Sequence, residues 1–278
     1  KDESLFKSFV SKNKASLQFL KQNPQAWYQD TLSKILYNNN PWAGEIPTPE
    51  SFDRLNIDKI VSVYNQIFGN AYGMHYTFAG NIDVEKAKPL LEKYIGSLPA
   101  SAKENKYKDN GIRMIKGSTE INLKRGKESQ SMISILFEGE TEYNREEKLN
   151  LAALLEVLNI KIIETLREKM SGIYGGGISG SIEKRPYTHY SISATLPCGP
   201  ENVDKLSTAF VNLIKEAQEK GIEQKNLDKV KETWRKQYHV NLQSNDWWLT
   251  SLSTAWIDRV NPENILDFEK RVDAITVE

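Results

Sequence analysis

One helix constrains this chain more than any other part of its sequence. From about Arg145 to Met170, apolar Leu149, Ala152, Leu155, Ile162, Ile163 and Leu166 recur at helical spacing over a stretch too long for a strand. Segments with the other period flank it. Ahead of it, Ser131 to Glu138 alternates, with Met132, Ser134, Leu136 and Glu138 on one side and a cleanly apolar Ile133, Ile135 and Phe137 on the other. Behind it, Ile173 to Ile182 and Tyr187 to Leu196 predict a β-hairpin around Glu183-Lys184-Arg185-Pro186. Three helical stretches follow, roughly Glu201 to Lys220, Glu223 to Gln243 and Asp246 to Arg259, and Pro262 opens a last one to about Val272. This order predicts an α+β fold: a layered antiparallel or mixed sheet with helices on one face.

The chain before this part reads as mostly helical. Asn23-Pro24 starts a helix with Trp27, Leu32, Ile35 and Leu36 near one face, which breaks at Asn38-Asn39-Asn40-Pro41. Thr48-Pro49-Glu50 opens a short helix. Asn56 to Phe68 carries Ile57, Ile60, Val61, Tyr64, Ile67 and Phe68 at helical period and ends at Gly69-Asn70. A strand is predicted over Met74 to Ala79, and Asp83 caps a helix from Val84 to Ile95. Gly96 to Asn110, rich in Ser, Lys, Asn and Pro, reads as a linker, set at residues 99–110. Further strands are predicted at Gly111 to Ile115 and Thr119 to Lys124.

Composition removes several function classes. The 278 residues suit one large domain or two of ordinary size. Lys plus Arg equal Asp plus Glu at 37 each, so the basic excess that phosphate-backbone binding needs is missing and no nucleic-acid partner is expected. The single cysteine, Cys198, has no internal partner for a disulfide. The longest apolar stretch, Leu149 to Ile163, is interrupted by Asn150, Glu156, Asn159 and Lys161, so no membrane span is expected. Lys1 to Phe9 alternates charged and apolar residues, unlike a secretory signal, and with no initiator Met the chain is expected to be a piece of a longer protein or a processed product. His75, His189 and His239 lie far apart, without an H-x-x-E-H, H-E-x-x-H or C-x-x-C pattern, so no local zinc motif exists and no metal ligands are assigned. There is also no P-loop and no G-x-S-x-G elbow.

The most informative stretch is Leu166-Arg167-Glu168-Lys169-Met170-Ser171-Gly172-Ile173-Tyr174-Gly175-Gly176-Gly177. A helix ends in a basic cluster, Gly172 breaks it, and a strand begins near Tyr174. Arg167 and Tyr174 then stand at opposite ends of one helix-to-strand junction. Glycines there let another backbone approach, as a substrate adding along a strand edge would. The same residues also fit a plain helix end, with cations complementing the dipole and Gly172 as C-cap. Other candidates read as structural: Trp234, Trp247, Trp248 and Trp256 as core aromatics, His189 as a satisfied hairpin residue, Cys198 as a small buried side chain, and Lys103 to Lys108 as a solvated surface.

The junction resembles the C-terminal half of the insulinase or pitrilysin family of zinc metallopeptidases, the inverzincins. That family has a helix ending in an L-R-E-K-like run, a Tyr seven residues after the Arg, and a following hairpin, here continued as Tyr190-Ser191-Ile192-Ser193-Ala194. The earlier P-T-P-E-S-F-D-R-L run, the helix Ile57 to Phe68 and the turn Phe78-Ala79-Gly80-Asn81-Ile82-Asp83 are similar to the same family. The resemblance covers nearly the whole chain. It implies a piece of a two-domain unit: residues 1–98 as the C-terminal part of a third peptidase-like domain, 99–110 as linker, and 111–278 as most of a fourth that lacks its last helix and strand. It further implies that zinc and its H-x-x-E-H helix belong to an N-terminal half absent here, so no cofactor is expected in this chain. The partners implied are a peptide substrate and that zinc-binding half, with Arg167 and Tyr174 contacting the substrate across an enclosed chamber. A Tyr hydroxyl can donate to a developing oxyanion, and Arg can hold a carbonyl as an aimed donor. The alternative within the family is a non-catalytic scaffold or assembly subunit. If the source is bacterial, a periplasmic or otherwise exported parent is expected. The truncated sheet implies an exposed edge, so Met74 to Ala79 is expected to pair with the other domain, within one chain or by strand exchange between two.

Overall fold

Short polar residues placed before apolar runs start the helices of the N-terminal part, as the sequence predicts. The computed structural model describes residues 1–44, 46–101 and 107–278. Its packing separates a first unit, Lys1–His75 with Asp83–Lys127, from a second, Tyr76–Ile82 with Glu128–Glu278. In the first unit, α1 (Glu3–Gln22) is capped by the Asp2 carboxylate accepting from the Leu5 N–H. Asn23 caps α2 (Pro24–Leu36), Thr48 caps α3 (Pro49–Asp53), Asn56 caps α4 (Ile57–Phe68) and Asp83 caps α5 (Val84–Tyr94).

These helices bury little. Leu17 is the one buried apolar side chain of the unit among its described residues. On α4, Ile60, Val63, Tyr64, Ile67 and Phe68 are all exposed, as are Leu90, Leu91 and Tyr94 on α5. Residues 102–106, within the expected linker and its Lys103 to Lys108 stretch, lie outside the described residues. Just before them, Ala71 donates from its backbone to Pro99 O at 2.8 Å and Ser101 N–H donates to Asn70 Oδ1 at 2.8 Å, so this end of the segment is tied to the first unit.

Three predicted strands do not form. Met74 to Ala79, Gly111 to Ile115 and Thr119 to Lys124 join no ladder. Alternation gives a segment the faces of a strand, but a ladder also needs a neighbour to take its N–H and C=O groups. Ile115 N–H instead donates to Leu36 O at 2.8 Å, at the end of α2. The ladder expected of Met74 to Ala79 within the chain is therefore corrected. Residues 76–82 do group with the second unit, where Ser253 Oγ donates to Thr77 Oγ1 at 3.1 Å.

The second unit holds the sheet. Strands β1 (Ser131–Glu140), β2 (Gly177–Glu183) and β3 (His189–Cys198) form one three-stranded sheet in the order β1-β3-β2, antiparallel throughout. Ile135, Ala194 and Ile178 form one row across it, and the adjacent outward row is Ser134, Thr195 and Gly177. The predicted long helix is α6 (Arg145–Ile162), continued as a π-helical segment, Ile163–Lys169.

Helix α6 is buried on two sides, which explains its wealth of apolar positions. Leu155, Leu158 and Ile162 pack with Leu166 onto the sheet residues Ile133, Ile178, Ala194 and Leu196, together with Leu206 and Phe210 of α7 (Val203–Lys220). Ala153 and Val157 face Leu227 and Val230 of α8 (Gln224–Asn241), with Ile275 closing this second cluster. Beyond it lie α9 (Asn245–Asp258) and α10 (Phe268–Ala274). The hairpin tip is tied to the end of α9, where Arg185 Nη2 donates to Ile257 O at 2.7 Å and Lys184 Nζ to Asp258 O at 3.2 Å. Cations on terminal carbonyls complement a helix end.

Candidate substrate-contact site

The two residues singled out by sequence lie on either side of one turn in the second unit. Arg167 is exposed on the π-helical segment, directly after Leu166, which is fully buried. The i→i+5 pattern is seen in Met170 N–H donating to Thr165 O at 3.1 Å. The turn closes with Gly172 N–H donating to Leu166 O at 2.9 Å. Ile173 then enters the core beside Cys198, and Tyr174 N–H donates to Pro197 O at 3.1 Å. Because extended residues alternate, a buried Ile173 turns Tyr174 outward, and its side chain is 74% exposed. Neither the Arg167 guanidinium nor the Tyr174 hydroxyl has a hydrogen-bond or ion-pair partner among the described residues.

The outward face that Tyr174 joins mixes small polar and apolar side chains. Ser134, Thr195, Ser193, Ser179, Ser191 and Ser181 share its successive rows with Met132 and Leu136, and Glu138 at the far end accepts from Tyr187 Oη at 2.5 Å. Its hydroxyls offer both donors and acceptors.

The glycines of the junction serve packing within the unit. A Cβ on Gly172 would stand 2.4 Å from Leu206 Cδ2, one on Gly176 would stand 2.0 Å from Thr195 O, and one on Gly177 would stand 2.4 Å from Asn159 Oδ1. Only Gly175 has open space around it. The close approach expected of a substrate is thus made by the chain itself. The left-handed residue of the turn is Ser171, with φ of 48°, rather than Gly172. Gly172 is needed for contact with α7 instead.

One residue of the site was read in sequence only as a polar interruption. Asn159 on α6 donates from Nδ2 to Ile178 O and accepts from Ile178 N–H at Oδ1, each at 2.8 Å. These are the two backbone groups that a strand added to β2 at that point would use. The available signal was a lone Asn between Leu158 and Ile160 in an apolar run that precedes a triple glycine.

The remaining candidates are structural. His189 Nδ1 lies 2.8 Å from Tyr187 O, and its ring stacks on Tyr187 at 4.3 Å. Trp248 Nε1 donates to Leu242 O at 2.8 Å, Trp247 meets Tyr238 edge-on at 5.8 Å, and Trp234 packs against the second cluster. Trp256 departs from the core reading, being half exposed. Cys198 is buried, and burial pushes its thiol up, with Glu201 adding to the effect. Among the described residues no group of three His, Cys, Asp or Glu could hold a metal ion. Among them, too, no helix is long and apolar enough to cross a membrane.

The profile of the peptidase M16 inactive domain matches residues 54–233. The chain belongs to the M16, or pitrilysin, family as its inactive, C-terminal domain. The periplasmic protease PqqL from Escherichia coli is similar over 99% of this chain and 30% of its own, at 16% identity and a TM-score of 0.83. The peptidase M16 inactive domain from Pseudomonas fluorescens is similar over 99% of this chain and 66% of its own, at 16% identity and a TM-score of 0.72. A protease from Helicobacter pylori is similar over 100% of this chain and 68% of its own, at 13% identity and a TM-score of 0.70. At these identities the likeness is one of fold, and the chain spans under a third of the length of PqqL. No curated protein sequence matches the chain.

Proposed function

We propose that this chain is the non-zinc half of a zinc metallopeptidase, supplying substrate-binding and oxyanion-stabilising residues to a peptide held in an enclosed chamber. The observation that carries the reading is the pair Arg167 and Tyr174. Both face solvent without partners among the described residues, on a junction whose Gly172, Ile173 and Gly177 are engaged in packing. An unsatisfied guanidinium and phenol held on a rigid frame are preorganised donors. Attack on a peptide carbonyl leaves negative charge on its oxygen, and the Tyr174 hydroxyl donates to that oxygen while Arg167 holds a main-chain carbonyl. The hydroxyls of the sheet face beside Tyr174 accommodate an extended peptide's polar backbone. Zinc and the general base are assigned to the other half. Residues 1–98 and 111–278 take the places of the third and fourth peptidase-like domains, and an exported parent follows the example of PqqL, which is periplasmic.

The test is Tyr174→Phe in the full-length protein. The expected result is a fall in kcat of roughly 100-fold or more with little change in KM, the size seen when one oxyanion donor is removed. An unchanged kcat overturns the role. This chain, purified alone, is expected to cleave no peptide until mixed with the zinc-bearing half. Association of the two halves without any cleavage would instead make it a scaffold subunit.

A further inference from the structure

We propose that Asn159 is a positioning residue that fixes Tyr174 relative to Arg167. The inference rests on the substrate-contact reading above. Asn159 lies two helical turns before Arg167, and its backbone C=O accepts from the N–H of Ile163, where the π-helical segment begins. Its side chain spends both of its ends on Ile178, four residues beyond Tyr174, through two hydrogen bonds of 2.8 Å. One residue therefore links the helix that carries Arg167 to the strand that follows Tyr174.

The neighbourhood is built around this amide. Leu155, Leu158 and Ile162 on the same helix are apolar and buried, so a polar side chain there loses water that only good hydrogen bonds offset. Gly177 has no side chain, and any Cβ would collide with Asn159 Oδ1. Other ties at the junction run from Tyr174 N–H to Pro197 O, from Gly172 N–H to Leu166 O beside Arg167, and from Gly172 to Leu206, with Ile173 packed against Leu158 and Ile162. Asn159 adds the side-chain tie from α6 to the backbone of β2. An Asp there would keep the acceptor for the Ile178 N–H but lose the donor to Ile178 O, and a Leu would lose both.

The test uses the full-length protein with Asn159→Leu, Asn159→Asp, Tyr174→Phe and the double variant Asn159→Leu/Tyr174→Phe. Each is measured for kcat, KM and thermal unfolding. Asn159→Leu is expected to lower kcat by up to roughly 100-fold, the effect of an ångström of misplacement, with KM nearly unchanged and the protein still folded. Asn159→Asp should fall between Asn159→Leu and the unaltered protein. The double variant should lose little beyond Tyr174→Phe alone, because a misplaced donor has nothing left to lose. Losses that multiply in the double variant would mark Asn159 as a structural residue and overturn the proposal. So would loss of folding in both single Asn159 variants. If Tyr174→Phe lowers kcat and the Asn159 variants do not, the positioning role falls and the substrate-contact reading stands. If Tyr174→Phe has no effect, both fall together.

Discussion

The two units of this chain follow the same local rules and reach opposite results. In the first, every helix from α1 to α5 has a side-chain N-cap, yet one apolar side chain is buried among the described residues. In the second, α6 alone contributes to two separate apolar clusters. Capping and periodicity decide where a helix starts and which face is apolar; burial depends on an opposing surface. The second unit has that surface in its sheet and in α8. The apolar stripes of α4 and α5 have no counterpart among the described residues.

The contrast can be broken most directly by cavity mutations. Phe210→Ala, at a fully buried position, should cost about 3–5 kcal/mol, whereas Tyr64→Ala on the exposed face of α4 should stay within about 0.5 kcal/mol. Urea unfolding of the two variants measures the difference, and equal losses would erase it. A smaller effect sharpens the comparison at two glycines of nearly equal backbone angle. Gly44, in the first unit, has φ of 91° and nothing within 4 Å of a built Cβ, while Gly176 has φ of 88° and Thr195 O at 2.0 Å. Gly44→Ala should cost about 1–2 kcal/mol for the left-handed backbone alone. Gly176→Ala should cost more than about 3 kcal/mol, because the collision with β3 is added. Similar values at the two sites would mean that the junction yields easily.

The smallest expected effect is on acid stability. Glu223 is held down to about 2 by hydrogen bonds from Lys161 and Lys225, and Asp109 to about 2 by Arg113 and the Gly111 N–H. A carboxylate with a depressed folded pKa stabilises above its unfolded value and loses that contribution as pH falls toward the folded one. For Glu223 the window runs from the ordinary 4.5 down to about 2. Glu223 meets Lys161 at the end of α6 from the start of α8, so Glu223→Gln should flatten the fall of the second unit's melting temperature across that window. Asp109 closes only a four-residue turn onto Arg113, and Asp109→Asn should leave the melting temperature alone. A flatter acid loss in Asp109→Asn than in Glu223→Gln would reverse the assignment.

How much was legible in the sequence follows the same division. Helix α6, strand β1 and the β2–β3 hairpin are readable because each carries its period over many residues and each found a partner. Met74 to Ala79, Gly111 to Ile115 and Thr119 to Lys124 belong to no ladder, which alternation alone cannot supply. Arg167 and Tyr174 were found through a resemblance in their spacing, and the structure adds that both side chains are exposed. The roles of Gly172, Gly176 and Gly177 were not legible, because a glycine in sequence does not say which atom comes close. Asn159 was hidden for a related reason: its partner is a backbone, which has no signature of its own.

The change of pitch inside the long helix carries a consequence for chain length. A π turn holds one more residue than an α turn of the same hydrogen-bonded helix. Between Asn159 and Gly172 the chain therefore stores a residue that it could release by tightening Ile163–Lys169 into an ordinary helix. A single deletion there need not unravel anything; it would advance Arg167 around the helix axis while β2 stayed where Ile178 is held. The spacing between guanidinium and phenol is thus adjustable by indel, a kind of variation that point substitution at either residue cannot produce.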